Sequence, residues 1–382
     1  SDRHSFLTSG DWNQDGRIDI LLGSRSGKIF AFENRADKGT DWYELKFPVL
    51  ENNKRQYSSP VLSDIDADGD LDIISGNRNG KLEWILNRGS EKRPEWVVHD
   101  VNLSQIDVGS FSTPLLNDMD GDDDLDLLVG NSKGLIIYYE NQGNKNTPHF
   151  VLRNTRIAGF QMKASSAPTF CKWNEDKHPD LVVGGREGFL SLISHLPPES
   201  SPALGGWTLE AEHWQNIKAI GYSTPHFVDF EGDNKTDLLI GDVHGNLLYW
   251  KNGGLKKTIE SKQESTLVLT ENTLEDEEQE EENEQADSTI IPVENTETEQ
   301  DSKAIGPIEP SFEFVSSRYG NLELGRRAFP AFMDVDGDNN LDLIVGNSAG
   351  ELRYYRREQG SGDAQWTLES KHFLGYQGRK NS

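Results

Sequence analysis

The stretch DMDGDDDLDLLVG, residues 118–130, places a crowd of carboxylates directly against an apolar run. Carboxylates this close repel one another, most strongly where water is scarce. A solvated acidic tract would continue into polar residues, whereas this one runs into LDLLVG, which has the length of a strand and ends at Gly130. The pattern predicts a missing counter-charge, most simply a hard cation with oxygen ligands.

The same stretch occurs six times, at intervals that indicate a repeat architecture. Copies begin at Asp11, Asp64, Asp118, Asp229 and Asp334, and a degenerate copy, KWNEDKHPDLVVG, begins at Lys172. Proline stands four residues before the motif in five copies, and each motif is followed by a glycine-containing turn and further apolar runs. Four short strands in each repeat, separated by Gly, Asn and Pro, predict one antiparallel blade.

A single blade cannot bury both of its faces, but a closed ring of blades can. The sequence therefore predicts an all-β fold, a β-propeller of four-stranded antiparallel blades that spans residues 1–382 as one domain. Six motifs favour six blades, and a seven-bladed ring would require a further segment. The C-terminal WTLESKHFLGYQ and the N-terminal HSFLTS are expected to complete one shared blade. Aromatic pairs such as Tyr138 and Tyr139 are expected between blades rather than on a ligand-stacking surface.

An acidic insertion at residues 255–308 separates the fifth motif from the sixth. Within it, residues 271–301 hold fourteen acidic residues and no Lys or Arg. The repeat pattern places this insertion between the third and fourth strands of the fifth blade. Its composition predicts a flexible, solvated loop, and a cation buffer or a docking arm for a basic partner is the alternative.

The loop itself has the chemistry of a cation site. In D-x-D-x-D-G-x-x-D, the carboxylates at positions 1, 3, 5 and 9 can converge on one cation, and the carbonyl of position 7 adds an oxygen. An EF-hand begins in the same way but needs Glu at position 12 between two helices. Here position 12 is Leu22, Ser75, Val129, Ile240 or Val345, within a strand pattern. An EF-hand is therefore excluded.

The motifs and their LDLLVG-type strands resemble the FG-GAP and VCBS repeats that form integrin-α-like β-propellers. The resemblance covers nearly the whole chain outside the insertion, and it implies Ca²⁺ at about five sites, each between the first two strands of a blade. In the first three loops the implied residues are Asp11, Asn13, Asp15, Arg17 and Asp19; Asp64, Asp66, Asp68, Asp70 and Asp72; and Asp118, Asp120, Asp122, Asp124 and Asp126. In the last two they are Asp229, Glu231, Asp233, Lys235 and Asp237; and Asp334, Asp336, Asp338, Asn340 and Asp342.

Three details qualify these sites. The position-7 residues contribute through their carbonyl groups, and Asp123 replaces the usual glycine of the third loop. The fourth loop has Lys172 at position 1, so it is expected to hold no calcium, with Lys172 either pairing with Asp176 and Asp180 or exposed over an empty turn. For every loop, an Asx-rich turn without a metal is the alternative.

Composition restricts the partners. The formal net charge of -27 argues against nucleic acid and anionic membrane surfaces. No run approaches the length of a membrane span, and the start, SDRHSFLTSG, shows no signal-peptide pattern. The only cysteine, Cys171, cannot form an internal disulfide and leaves the compartment undecided. From the calcium loops we expect an extracellular, cell-surface or periplasmic location.

No catalytic motif is evident, because the sequence lacks a nucleophile elbow, a His-rich zinc motif and a phosphate loop. The sequence predicts a non-catalytic, calcium-stabilised scaffold for protein interaction or adhesion, with a protein partner for which a basic surface is one option. A glycan-binding, lectin-like propeller or a polysaccharide lyase is the alternative. His226, in a first-strand position, is a candidate ligand contact, although a structural histidine is the expected role.

Overall fold

Six antiparallel sheets of four strands each make up the structure, and each sheet uses four strands that follow one another in sequence. The computed structural model describes residues 5–35, 41–50, 56–90, 92–99, 102–172, 178–195, 206–230, 233–257, 308–358 and 365–375. The acidic tract 271–301 and residues 173–177 of the fourth loop lie outside this part. The prediction of a six-bladed propeller is confirmed, and we number the blades 1–6 in chain order.

The first three blades follow one pattern. Blade 1 comprises β1 (Ser5–Gly10), β2 (Asp19–Ser24), β3 (Ile29–Asn34) and β4 (Trp42–Leu45). Blade 2 comprises β5 (Ser59–Ser63), β6 (Asp72–Gly76), β7 (Leu82–Asn87) and β8 (Trp96–His99). Blade 3 comprises β9 (Thr113–Asn117), β10 (Asp126–Gly130), β11 (Ile136–Asn141) and β12 (Phe150–Asn154). Every second strand thus begins at the aspartate in motif position 9.

The last three blades repeat the pattern. Blade 4 comprises β13 (Ser166–Cys171), β14 (Asp180–Gly185), β15 (Ser191–His195) and β16 (Trp207–Ala211). Blade 5 comprises β17 (Thr224–Val228), β18 (Asp237–Gly241), β19 (Leu247–Lys257) and β20 (Ile308–Ser316). Blade 6 comprises β21 (Phe329–Met333), β22 (Asp342–Gly346), β23 (Leu352–Glu358) and β24 (Gln365–Ser370). Short 3₁₀ turns lie at Asn102–Gln105, Ile157–Gly159, Trp214–Asn216, Tyr319–Asn321 and Phe373–Gly375. In the described chain, no helix has the length and apolar character needed to cross a membrane.

Apolar clusters between neighbouring blades close the ring. One cluster lies between each successive pair of blades, including blades 6 and 1, where Leu22 packs with Ile344 and Tyr354. The second strands supply fully buried aliphatic residues to these clusters because both faces of each sheet are covered. Tyr138 and Tyr139 are buried in two different clusters, which confirms that they pack between blades.

The prediction that the two ends of the chain share a blade is wrong. The N-terminal stretch forms β1, which pairs with β2 of blade 1, and the C-terminal stretch forms β24, which pairs with β23 of blade 6. Each motif copy is preceded by its own first strand, so no strand is missing from either blade. Blades 1 and 6 meet through side-chain packing, as in the contact of Phe6 with Phe329, whose ring centroids lie 5.4 Å apart.

The glycine that ends each LDLLVG-type strand allows the next blade to approach. A Cβ at Gly76 would lie 2.0 Å from the carbonyl oxygen of Ser112, and one at Gly23 would lie 2.2 Å from that of Ser58. The serines also bind the neighbouring turn: Ser112 Oγ accepts a hydrogen bond from Asn77 N at 2.8 Å and donates one to Lys81 O at 2.8 Å. Ser58, Ser166 and Ser223 make equivalent bonds. This serine latch joins four pairs of neighbouring blades.

Antiparallel pairing divides the connections between the two ends of the ring. Connections between first and second strands, and between third and fourth strands, lie at one end, which we call the carboxylate end. Turns between second and third strands, and the segments that enter the next blade, lie at the other, which we call the mouth end. The first strands surround the ring axis, where a cavity of about 250 Å³ is lined by residues such as Pro60, Thr113 and His226. Proline is tolerated in these strands because they are edge strands.

We predict that Gly76→Ala lowers the free energy of unfolding by about 1–3 kcal/mol, because the added methyl group forces β9 away from β6. Asn79→Ala, in the exposed part of the same turn, serves as the control and should change stability little. Urea unfolding of the two variants beside the parent protein makes the measurement. Equal midpoints for both variants would contradict the close approach.

Candidate metal centres in the blade loops

Backbone hydrogen bonds shape each acidic loop around its first carboxylate. In blade 2, Asp64 accepts hydrogen bonds from Asp68 N and Gly69 N, both at 3.1 Å, and Asp68 Oδ1 accepts one from Asp70 N at 2.9 Å. The loops of blades 1, 3, 5 and 6 contain corresponding bonds. The residue at position 6 is left-handed in these loops, and Asp123, which stands there in blade 3, has φ 68°. Asp can adopt this conformation, so the loop keeps its turn without glycine.

Among the described residues, the loops of blades 2, 3 and 6 gather their carboxylates. Ligand oxygens lie within 4.8 Å of one another in blades 2, 3 and 6, in the sets Asp64, Asp66 and Asp68; Asp118, Asp120 and Asp122; and Asp334, Asp336 and Asp342. The blade 6 set includes position 9, whereas the other two sets consist of positions 1, 3 and 5. That positions 1, 3, 5 and 9 can converge on one cation stays a prediction.

The gathered carboxylates fit a cation. Asp66 Oδ1 and Asp336 Oδ1 are buried, and neither has a hydrogen-bond donor among the described residues. Burial, reinforced by the neighbouring carboxylates, raises the pKa of both side chains and that of Asp120. In blade 3, burial and adjacent acids raise the pKa of Asp124 to about 6. Buried oxygens without donors, beside like charges, are the arrangement that a bound divalent cation would relieve.

Blades 1 and 5 carry a basic side chain at position 7. Arg17 Nη2 lies 2.5 Å from Asp15 Oδ2, and Lys235 Nζ lies 3.0 Å from Asp233 Oδ2. Arg17 Nε also donates to Asn34 O at 3.0 Å. The three loops that gather carboxylates have Asp70, Asp124 and Asn340 at this position. Part of the counter-charge in blades 1 and 5 thus comes from the chain itself. Glu231 of blade 5 lies outside the described residues.

The aspartate at position 9 binds the third strand in all six blades. Its Oδ1 accepts a hydrogen bond from a backbone N–H fifteen residues later, at 2.7–2.9 Å. The donors are Asn34, Asn87, Asn141, His195, Asn252 and Arg357, paired with Asp19, Asp72, Asp126, Asp180, Asp237 and Asp342. We call this bond the strand clasp. Its presence in blade 4, whose loop has lost its first acidic position, shows that the clasp does not depend on the rest of the acidic motif.

The second oxygen of the clasp aspartate meets an aromatic side chain in four blades. Tyr138, Tyr249 and Tyr354 donate their hydroxyl hydrogens to Asp126, Asp237 and Asp342 at 2.9–3.1 Å, and Trp84 donates its Nε1–H to Asp72 at 3.2 Å. The sequence analysis predicted that Tyr138 packs between blades, but it did not predict the bond of this residue to the loop. The degenerate fourth motif keeps Asp180 at position 9, and this feature of the sequence could have indicated a structural role for that position.

Burial opposes ionisation of the clasp aspartates. It raises the pKa of Asp19 and of Asp72 to about 8, and that of Asp126 to about 7, although the N–H donors act in the opposite direction. Their carboxylates are therefore held as anions only where donors or a nearby cation compensate for the loss of water. A cation bound by positions 1, 3 and 5 would stand close enough to contribute.

The fourth loop is described only at its ends. Lys172 is exposed, whereas Asp180 is buried and clasps His195 N at 2.9 Å. Asp176 lies outside the described residues, so the expected pairing of Lys172 with both aspartates stays a prediction. On the ring axis, His226 lies in β17, where burial lowers its pKa to about 4 and keeps the imidazole neutral at physiological pH.

Comparison with known proteins supports the repeat assignment. Residues 11–75 match the family model of the FG-GAP-like repeat, so the resemblance to FG-GAP and VCBS repeats is confirmed there. An Agrocybe aegerita lectin, solved for its specific recognition of non-reducing terminal N-acetylglucosamine, has a TM-score of 0.51 and 13% identity, covering 98% of this chain and 82% of the lectin chain. BBS1N in complex with ARL6DN has a TM-score of 0.43 and 14% identity, covering 97% of this chain and 84% of that chain. No curated protein matches the sequence. At these identities the likeness concerns the fold alone.

We predict that Asp180→Ala destabilises the protein by about 1–3 kcal/mol, because the buried His195 N–H loses its acceptor. The loss should be the same in calcium and in chelator, since we expect the loop of blade 4 to hold no calcium. Glu212→Ala, which removes an exposed carboxylate just after β16 of the same blade, is the matched control. Chemical unfolding of the three proteins in both buffers supplies the data, and a loss that vanished in calcium would argue against a purely structural clasp.

Proposed function

We propose that this chain is a non-catalytic, calcium-stabilised β-propeller that presents a surface to a protein partner. The observation that carries the proposal is the gathering of carboxylates in blades 2, 3 and 6, with the unpartnered oxygens of Asp66 and Asp336. Ca²⁺ accepts six to eight oxygen ligands in flexible geometry, which suits short loops of carboxylates and carbonyl groups better than the strict octahedron of Mg²⁺ does.

In blades 2 and 3, positions 1, 3 and 5 would hold the ion together with the carbonyl of Asp70 or Asp124. In blade 6, positions 1, 3 and 9 would hold it together with the carbonyl of Asn340. The loops of blades 1 and 5 would bind more weakly, because calcium there must compete with Arg17 and Lys235 for the same carboxylates. Extracellular calcium modules bind in the range of about 10⁻⁴ to 10⁻³ M. Saturation of such sites requires a calcium-rich compartment, so we propose an extracellular, cell-surface or periplasmic location.

We predict that millimolar calcium raises the melting temperature relative to EGTA, whereas magnesium does not. An ion that binds only the folded state adds about 2.7 kcal/mol per site at a hundredfold excess over its Kd. The double variant Asp66→Ala with Asp336→Ala should lose most of this gain, because it removes a buried ligand from two clusters. Arg17→Gln with Lys235→Gln should instead raise the number of bound ions measured by metal analysis. Identical melting curves of the parent protein in calcium and EGTA would refute the calcium proposal.

A scaffold role agrees with what the site chemistry offers. Burial lowers the pKa of His226, which stands among proline and threonine side chains, and the described residues that line the axial cavity with it include no Asp or Glu. The polysaccharide-lyase alternative requires a base and a means of stabilising a developing anion at one place. The glycan-binding alternative draws on the similarity of fold to the N-acetylglucosamine-recognising lectin, and fold similarity by itself does not transfer a ligand.

One set of assays distinguishes protein binding from glycan binding and from catalysis. We expect immobilised protein to capture a defined protein partner from its native source in calcium, and to release it when EGTA is added. An array that includes N-acetylglucosamine-terminated glycans should stay empty, and incubation with polysaccharides should release no unsaturated or reducing ends. Strong glycan capture would favour the lectin alternative, and turnover abolished by His226→Ala would favour the lyase alternative.

A further inference from the structure

The mouth end differs in charge from the rest of this acidic protein. Turns between second and third strands place Arg25, Arg78 and Arg186 at equivalent positions of blades 1, 2 and 4. Arg327 lies in the segment that enters blade 6, three residues before Pro330. In the described blades, the positions equivalent to Arg25 contain no Asp or Glu, and neither do the positions equivalent to Arg327. Four arginines thus stand at one end of a chain whose net charge is -27.

Backbone hydrogen bonds link these positions into a band around the mouth. Tyr57 N donates to Arg25 O at 3.0 Å, and Phe111 N donates to Arg78 O at 3.0 Å. The same bond recurs from Arg327 N to Val243 O at 3.1 Å. Ser59 and Thr113 lie two residues after Tyr57 and Phe111, and both line the axial cavity. The band therefore forms the rim of a concave site. We call Arg25, Tyr57, Arg78, Phe111, Arg186 and Arg327 the mouth patch.

Aromatic side chains in the mouth patch are held in costly backbone conformations. Tyr57 has φ 55° and Phe111 has φ 51°, in the left-handed region that bulky residues rarely adopt. Their rings meet edge to face with centroids 5.0 Å apart, and Phe111 remains 38% exposed. Conformations of this kind persist where the surrounding structure enforces them, often at binding sites. The equivalent Ser165 and Arg327 have φ 50° and 53°, so the entering segment of the repeat imposes this conformation, and in blade 3 it holds an apolar ring at the surface.

The arginines are arranged as anion receptors on an aromatic support. The guanidinium carbons of Arg25 and Arg78 lie 5.4 and 5.9 Å from the centroid of the Tyr57 ring, and that of Arg327 lies 4.6 Å from Tyr222. Stacking on a ring leaves the planar edge of a guanidinium able to bind a carboxylate through two parallel hydrogen bonds. Arg25 and Arg78 are exposed, so such an edge is accessible to a ligand.

We propose that the mouth patch binds an acidic peptide segment of a partner protein. Carboxylates of the peptide would pair with the arginines, and its apolar side chains would contact exposed apolar residues at the mouth end, such as Phe111 where the chain enters blade 3 or Ile220 where it enters blade 5. A nucleic acid or a long sulfated glycan carries charge along its whole length, so it would extend over the acidic remainder of the surface and be repelled. A short acidic segment confines its charge to the patch. This inference deepens the proposed scaffold function by naming the face and the chemistry of the partner.

The test uses the whole 382-residue chain and a fluorescein-labelled ten-residue peptide of Glu and Asp with one Phe and one Leu. Fluorescence anisotropy should show binding that weakens as sodium chloride increases. Arg25→Glu with Arg78→Glu should weaken binding by at least about tenfold, since it reverses charges in the patch. The control, Lys92→Glu with Lys145→Glu, changes the net charge equally but alters exposed lysines at the carboxylate end, and it should bind like the parent protein.

Melting curves test whether both double variants remain folded. If Arg25→Glu with Arg78→Glu is unfolded, the milder Arg25→Gln with Arg78→Gln replaces it. A peptide with Gln in place of every acid should bind at least about tenfold more weakly. The proposal is overturned if the acidic peptide does not bind, if the control loses affinity equally, or if a sulfated oligosaccharide or a single-stranded oligonucleotide binds more tightly. If the acidic-peptide proposal fails but calcium still stabilises the protein and a partner is still captured, the proposed scaffold function remains supported.

Discussion

The strand clasp is the interaction on which the rest of the propeller depends. A carboxylate at the start of each second strand reaches the backbone of the third strand, so the loop that precedes it and the sheet that follows it are held by the same side chain. Because this carboxylate is buried, it needs donors on both oxygens, and tyrosine or tryptophan side chains from the third strand provide them in four blades. Loop, sheet and interblade core are therefore coupled at one residue.

The coupling suggests why acidic loops and blades occur together in this repeat. The clasp places a carboxyl group at the base of the loop, and the loop gathers further carboxylates a few ångströms away. Repulsion among them is tolerable only with a counter-charge, which can be a bound ion or a tethered guanidinium such as that of Arg17. Blades 1 and 5 supply a basic side chain at position 7 against this repulsion. Blades 2, 3 and 6 have no basic residue there and would rely on a bound cation instead.

The two ends of the ring carry different sets of loops. Antiparallel pairing sends every acidic loop to one end and every second-to-third-strand turn to the other. Residues that are more than fifty positions apart in sequence thus become neighbours around one opening. The acids Asp107 and Glu187 at the mouth end form ion pairs with lysines, and Arg25 and Arg78 are exposed there. A protein with a large negative net charge can therefore still present arginines at this end.

The sequence by itself determined the repeat, the four strands of each blade and the number of blades, because these follow from local periodicity and from motifs that recur at a fixed interval. It also identified the acidic loops, since a ligand set within nine residues is a local property. Only the tertiary structure decided which of the described loops gather their carboxylates, because that depends on side chains such as Arg17 folding back. The clasp, the closure between β1 and β21, and the arginines around the mouth arise from contacts between distant segments, and no local pattern encodes such distances.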